Sequence, residues 1–301
     1  MPSGDQQVGI AHEVEAFGVR ELRRIAVRRY FEGAFHRALA DACVALDVPV
    51  RLGVTVRSLV QADLRVAVEF TDGSQQSYDL VIAADGASSK VRELVFGAEL
   101  KPKFTGQMVW RATVKRLPEV SALHVFVGGP NQPGCNPISA DEMYVFLVEC
   151  APDNPRLPAE RLAPAMRELL SSFGGLLTDA RERIQEPGQI VYRPIDAYLA
   201  PAPWYRGRVV LIGDSAHVPT PHLASGAGLA IEDAIVLVEL LGIDAPIADV
   251  LERFMVRRYE RCRMVVENSV QIGKWELHPG TPGADPAGLL DKTMMALAQP
   301  I

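Results

Sequence analysis

Covalent framework is scarce in this chain of 301 residues: its four cysteines, Cys43, Cys135, Cys150 and Cys262, lie far apart and form no C-x-x-C pair. That spacing argues against a disulfide frame or a zinc finger and fits reduced thiols in a cytoplasmic protein. No apolar run approaches the roughly 18 residues of a membrane span, because the most apolar stretch, 229–243, is broken by Glu232, Asp233 and Glu239. The opening MPSGDQQVGIAHE lacks the basic and then apolar order of a secretory signal. Basic surplus is missing too, and a net charge of −6 argues against a general nucleic-acid binder. No repeat or low-complexity run is evident. What remains is ordinary globular composition, with 48% hydrophobic and 23% charged residues, and length for one large domain or two ordinary ones.

Hydrophobic period divides the chain into a mixed α/β pattern. Apolar residues from Phe35 through Ala38, Leu39, Ala42, Cys43 and Leu46 keep one-sided helical spacing until the DVP at 47–49. Segment 50–59 reads as a strand, Val66, Val68 and Phe70 alternate up to an Asp72-Gly73 hairpin turn, and 78–84 follows as one apolar strand. From 99 to 198 the pattern becomes β-rich, with strands at 106–114, 122–127, 143–150 and 189–195 separated by Gly, Pro and Asn, as in an antiparallel sheet. One helix, through Leu162, Met166, Leu169, Leu170 and Phe173, stops at Gly174-Gly175. The continuous apolar run 208–212 resembles a buried parallel strand, a helix begins near Gly226, and a long helix covers about 247–272. The tail from Trp275, with HPGTPGADPAG, reads as loop.

Two segments carry chemistry. In YDLVIAADGASSKVRELVFG (78–97) an apolar strand ends on Asp85-Gly86 and small residues, where backbone amides can approach an anion and Arg92 adds positive charge. An ordinary strand-to-helix turn has the same look. In RVVLIGDSAHVPTPHLASGAGLAIEDAIVLVELL (208–241), Gly213 allows a tight strand exit and Asp214 can accept bonds from ligand hydroxyls at the strand's carboxyl end. Gly226, Ala227 and Gly228 then open a helix with little side-chain bulk, so its amides and positive dipole end can hold a negatively charged ring edge.

Together the segments resemble the flavin-binding motifs of the class A FAD-dependent aromatic monooxygenases, the family of para-hydroxybenzoate, salicylate and hydroxynicotinate hydroxylases. The pattern D-G-x-x-S-x-V-R appears as Asp85, Gly86, Ser89, Val91 and Arg92. The pattern G-D-x-A-H…P…G-x-G…E-D-A appears as Gly213, Asp214, Ala216, His217, Pro221, Gly226, Gly228, Glu232, Asp233 and Ala234. The resemblance implies a para-hydroxybenzoate-hydroxylase-like α/β FAD-binding fold with a truncated parallel sheet and an inserted antiparallel substrate domain. Its FAD-binding parts would be 1–98 and 199–275, its substrate domain 99–198 and its tail 276–301. It also implies FAD as cofactor, NADH or NADPH as co-substrate, and hydroxylation of a small aromatic ring. Asp85, Gly86 and Arg92 would serve the phosphate and sugar side of FAD, Gly213 and Asp214 the ribityl chain, Pro221 the oxygen site, and Gly226, Ala227 and Gly228 the reduced ring.

The family's opening strand and G-x-G-x-x-G turn are missing: the early glycines are Gly4, Gly9, Gly18 and Gly33, and Glu32 stands where an Arg is usual, with Arg28 and Arg29 out of register. The expectation is a truncated monooxygenase, with a separate N-terminal fragment or a second copy of the chain as a partner; the alternative is a catalytically silent remnant or a partner subunit that does not hold FAD alone. Other readings are weaker. Ser215 as a hydrolase nucleophile with His278 requires a helix that Pro219 and Pro221 forbid. Asp214, His217 and His222 lack a recognised metal spacing, and the Arg-rich last helix interleaves Glu252, Glu260 and Glu267 as a solvated face. Candidates for lining the substrate pocket are Met108, Trp110, His124, Tyr144, Phe146 and Arg193, each of which could equally be plain sheet packing. No catalytic residue is assigned.

Overall fold

The computed structural model describes residues 32–126 and 131–301. Gly4, Gly9, Gly18, Arg28 and Arg29 lie outside them. The first helix among the described residues, α1 (Glu32–Ala45), matches the one-sided apolar spacing and ends before Asp47, which turns at φ 51°. Strands β1 (Val56–Gln61), β2 (Val66–Phe70) and β3 (Gln75–Tyr78) form an antiparallel sheet in that order. Gly73, at φ 85°, supplies the left-handed residue of the β2–β3 turn, and Asp72 accepts the Ser74 amide at 3.0 Å.

Two expectations need correction here. The strand expected over 50–59 starts only at Val56, and the strand expected over 78–84 is two elements. Tyr78 closes the hairpin, whereas β4 (Val81–Ala83) belongs to another sheet. Exposed Asp79 marks the crossover, its carbonyl taking Arg208 Nη1 at 2.9 Å while the Val81 amide bonds the Arg208 carbonyl.

That other sheet holds the cofactor-type topology. Strand β4 runs parallel to β11 (Val209–Leu211), with Val81 opposite Val209 and Ala83 opposite Leu211, and β10 (Tyr205–Arg206) adds antiparallel on the far side. All three β11 residues are completely buried, as a continuous apolar run demands. Helices α5 (Gly226–Leu241) and α6 (Ile247–Leu277) contribute Val236, Leu237, Leu251, Phe254 and Val265 to the same core.

Between β4 and β11 lie α2 (Lys90–Phe96) and the antiparallel insert. Its strands are β5 (Lys103–Lys115), β6 (His124–Val125), β7 (Gln132–Pro137), β8 (Glu142–Cys150) and β9 (Ile190–Leu199), and a short β12 (His217–Val218) joins them in the order β12-β9-β5-β8-β7-β6. Period-two alternation decides its faces. Trp110, Ala112 and Val114 of β5, with Met143, Val145 and Leu147 of β8, pack against α3 (Ala159–Leu169) and α4 (Leu176–Glu182) as a second core. The first of these helices stops at Leu169 with Leu170 as its cap, short of the Gly174-Gly175 stop expected from sequence; Gly175, at φ 61°, instead leads into the second helix.

The tail also differs from expectation. Helix α6 runs to Leu277, and α7 (Pro286–Leu297) occupies the segment read as loop. Asp285 caps α7 by accepting the Gly288 amide at 2.9 Å, with Pro286 in the first turn. Leu289, Leu290 and Leu297 reach the main core, and Arg261 takes the Ala296 and Leu297 carbonyls at the far end. The Gly/Pro-rich run therefore covers the link between two helices and the first turn of the second. Among the described residues no helix is long and apolar enough to cross a membrane.

Candidate functional site

The site forms where β4 and β11 end. After Leu211 the chain turns through Gly213 at φ 56°, a conformation that disfavours a Cβ, and an added Cβ would stand 3.1 Å from that of Ala230 on α5. The turn is anchored from within. Asp233, wholly buried on α5, accepts the Gly213 amide at 2.8 Å, His217 Nε2 at 2.7 Å and Arg258 Nε at 2.7 Å. Arg258, itself fully buried on α6, also reaches Glu232 at 2.7 Å, and Arg261 pairs with both Glu232 oxygens at 2.8 Å.

Held this way, Asp214 points out of the turn. Its side chain is accessible to solvent, yet surrounding protein raises its carboxyl pKa by desolvation, partly offset by His217. Its carboxylate is thus open to solvent yet incompletely hydrated. Strand β12 follows directly and pairs His217 with Leu199 and Val218 with Tyr198, so the same loop is stitched to the six-stranded sheet.

The second wall is the start of α5. Ser225, at the cap position, turns its hydroxyl to the Leu223 carbonyl at 2.7 Å, leaving the helix without a side-chain cap. The first amide to bond back is that of Leu229, to Ser225 O at 3.0 Å. The amides of Gly226, Ala227 and Gly228 thus have no partner among the described residues, at the positive end of a 16-residue helix. A Cβ at Gly228 would meet open space, whereas one at Gly226 would crowd Pro219 at 3.3 Å. Pro221 opens the single 3-10 turn that leads to this terminus.

The 85–92 segment is used differently from what its motif suggests. Asp85 accepts the Val91 amide at 3.0 Å and the Ser89 hydroxyl, while Ser89 caps α2 by accepting the Arg92 amide at 2.9 Å. Arg92 is 2% exposed. Its guanidinium donates to the carbonyls of Leu100, Ser215 and Ala87 at 2.7, 2.9 and 2.6 Å and lies over the Tyr198 ring. Gly86 takes φ 81° in the turn before α2.

The alternative chemistries are not assembled. Ser215 is buried and donates to the Ala83 carbonyl at 2.9 Å. His217 and His222 belong to separate networks, the latter between Thr220 and Glu276. His217, Asp233 and Cys262 do cluster, but burial keeps the Cys262 thiol protonated far above neutrality and the Arg258 cation already occupies Asp233.

The six pocket candidates divide. Trp110 and Met108 sit on the core side of β5, where Trp110 stacks on Tyr192 at 4.0 Å and donates to Glu149 at 2.8 Å. By alternation and register, Tyr144, Phe146 and Arg193 lie on the opposite face, with Arg111 opposite Phe146 and Val109 opposite Arg193. His124 is on β6, next to the sheet's last pairing. That opposite face also carries Gln107, which contacts Glu276 of α6 at 3.0 Å. Gln107 and Glu276 were not among the sequence candidates and His222 was weighed only as a metal ligand, because glutamine, histidine and glutamate on three separate elements leave no spacing to read.

A parallel strand pair, a carboxylate at its carboxyl end and a bare helix N-terminus beside an antiparallel sheet define an α/β protein built to hold a nucleotide-type cofactor. The model of the FAD binding domain family matches residues 14–268, and the chain belongs to that family. It is similar to the putative FAD-dependent monooxygenase YetM of Bacillus subtilis, 29% identical over 244 residues, which cover 80% of this chain and 65% of that protein. It is 32% identical over 237 residues to the 2-heptyl-3-hydroxy-4(1H)-quinolone synthase of Pseudomonas aeruginosa, covering 75% and 60%. Among solved structures it resembles Klebsiella pneumoniae HpxO complexed with FAD and uric acid, with a TM-score of 0.72, 25% identity, and coverage of 81% of this chain and 64% of that one. The chain therefore spans 60–65% of the length of these relatives. FAD fits the residues present: unpartnered amides and open space at Gly228 for an electron-rich ring edge, and an accessible carboxylate for a polyol.

Proposed function

We propose that this chain forms the flavin and substrate crevice of an FAD-dependent monooxygenase that uses NAD(P)H and oxygen to hydroxylate an aromatic or heterocyclic ring. One observation carries the reading: the Gly213–Asp214 turn at the end of β11 packs on α5 at Ala230 and Asp233, within two turns of that helix's uncapped start, and β12 ties the same loop to the antiparallel sheet. The relatives' names, a quinolone synthase and putative or established FAD-dependent oxygenases, support it and do not favour the silent-remnant alternative.

Each group has a separable task. Asp214 accepts hydrogen bonds from the ribityl hydroxyls. The amides of Gly226, Ala227 and Gly228 and the α5 dipole stabilise negative charge on the reduced ring. Gly213 and Pro221 shape the backbone between these two contacts. Asp85, Gly86 and Arg92 act on the cofactor's sugar side through the backbone, Arg92 by holding the Ser215 carbonyl at 2.9 Å beside Asp214. When bound, flavin supplies the electron transfer and oxygen activation. The open face of the six-stranded sheet orients the ring to be hydroxylated.

Titrating FAD by its fluorescence into Asp214→Ala and Asp72→Ala tests the placement. Loss of a charge-assisted bond of about 1.5–3 kcal/mol predicts roughly tenfold to 150-fold weaker binding for Asp214→Ala. Asp72 lies in the exposed β2–β3 turn, and its replacement leaves affinity unchanged. Equal dissociation constants in the two variants would remove the cofactor from this crevice.

A further inference from the structure

Apolar surface is uncovered around the parallel strands. Strand β4 is the last of its sheet, so its outer edge has no strand partner among the described residues, and Ile82 is 44% exposed although every residue of β11 beside it is buried. An open edge of this kind is a template for another strand. Helix α5 shows the same deficit. It is apolar nearly all round, the composition of a helix buried on every side. Yet Ile231, Ala234, Ile235, Val238 and Leu241 form a stripe that is half-buried or exposed, opposite Leu229, Val236 and Leu237 in the core. Edge and stripe meet at the end of the strands, where Gly213 lies against Ala230 and Ser215 donates to the Ala83 carbonyl at 2.9 Å.

The segment that leads into β1 is uncovered as well. From 37 to 65 no residue is buried. The apolar stripe of α1 therefore faces no core, with Leu39 and Leu46 exposed. Beyond it Val48, Val50 and Leu52 alternate with Pro49 and Arg51, the period of a strand, and all three are exposed, Leu52 by 87%. No strand forms there, since β1 begins only at Val56. A period-two run without a ladder, a helix stripe without a core and an open parallel edge are what a further layer of strand and helix covers, because parallel sheets are buried on both faces. Contiguous apolar surface left in this state marks an interface.

We propose that the β4 edge, the α5 stripe and the 48–52 run form one docking surface for a separate polypeptide that brings a βαβ unit. Its first strand pairs parallel to β4, its helix lies along α5, and its second strand pairs with 48–52. Two observations select this occupant. Strands β4 and β11 run parallel, and extending such a sheet in the same direction requires a crossover connection, usually a helix, which the α5 stripe is placed to receive. The relatives also have length to supply a unit of this size, because this chain spans only 60–65% of theirs. A second copy of the chain is a poorer fit, since its own open edge is the three-residue β4. The docking surface goes beyond the oxygenase reading and stands on geometry that does not involve Asp214.

Sedimentation velocity and calorimetry, both without flavin, test it. The probe is the opening segment of Bacillus subtilis YetM, up to its alignment with this chain, made as a separate polypeptide alongside a shuffled-sequence control. Wild type is expected to bind the probe one to one and to ignore the control. Ile82→Asp and Val238→Asp should each weaken binding at least tenfold, the scale of one apolar side chain left unburied. Neither should shift the urea midpoint of the chain alone, because both side chains are exposed in it. Leu64→Asp, in the exposed β1–β2 turn, should bind as wild type does. No binding, equal binding of the shuffled control, or wild-type affinity in both Ile82→Asp and Val238→Asp overturns the proposal. A chain dimer that Ile82→Asp dissociates would also overturn it, making a second copy the occupant, as would binding that appears only after residues 2–31 are deleted, making them the occupant. Failure of the flavin reading would show instead in the Asp214 titration.

Discussion

Two aspartates of one motif do opposite work. Asp214 is accessible and made harder to ionise by desolvation, as suits a group facing a ligand, whereas Asp233 is sealed inside and ionised. Burial opposes the charge on Asp233, but the hydrogen bond from His217, the Arg258 cation and the Gly213 amide outweigh it. Asp233 is therefore the positioning residue that sets the turn on which Asp214 stands. Asp233→Ala strands the buried Arg258 guanidinium and should lower stability by about 3–5 kcal/mol, read as a shifted urea midpoint. A loss under about 1 kcal/mol would mean that Glu232 and water satisfy Arg258 without it.

At the scale of elements, α2 and α5 form a contrast. The seven-residue α2 has two of its first amides taken by side chains, Ser89 on Arg92 and Asp85 on Val91, while the much longer α5 has none. A capped helix start is structurally closed; an uncapped one is available to a ligand. Asp85→Ala should cost about 1–2 kcal/mol by leaving the Val91 amide and the Ser89 hydroxyl without their acceptor, measurable by thermal or urea unfolding without flavin. An unchanged midpoint would return Asp85 to a purely ligand-facing role.

The whole molecule joins two cores, one around the parallel strands and one under the antiparallel sheet, and a buried charge network on α5 and α6 gives it a definite acid response. Glu232 and Asp233 both have lowered pKa values in the folded chain, the arginines overcoming desolvation at Glu232. Carboxyls of this kind stabilise the fold fully above their unfolded pKa, about 4. That stability is lost as pH falls through their lower folded values. Asp214 runs the other way: its raised pKa favours folding when protonated, and the benefit disappears as pH rises through the folded value. Urea unfolding from pH 3 to pH 6 should therefore show a flatter acid limb in Glu232→Gln and a larger gain from acid to neutral in Asp214→Asn. Identical profiles for both variants and wild type would exclude these groups as determinants of acid stability.

Local physics made much of this protein legible. A continuous apolar run marked β11, alternation marked the antiparallel insert, and helical spacing marked α5 and most of α6, because burial on two faces, one face or one stripe leaves distinct periods. Asp214 and Gly226–Gly228 could be singled out because a strand exit and a helix start impose residue types at fixed spacing. Elements whose stability comes from distant contacts were not legible. Helix α7 is hidden behind a Gly/Pro-rich link and depends on Arg261 and the main core, and the 78–84 strand divides because its two halves find different partners. Tertiary structure alone decided that Arg92 holds backbone carbonyls, that Trp110 belongs to the second core, and that Gln107, His222 and Glu276 meet. Their hydrogen bonds join residues up to 169 positions apart, and a contact of that kind has no period for a sequence to display.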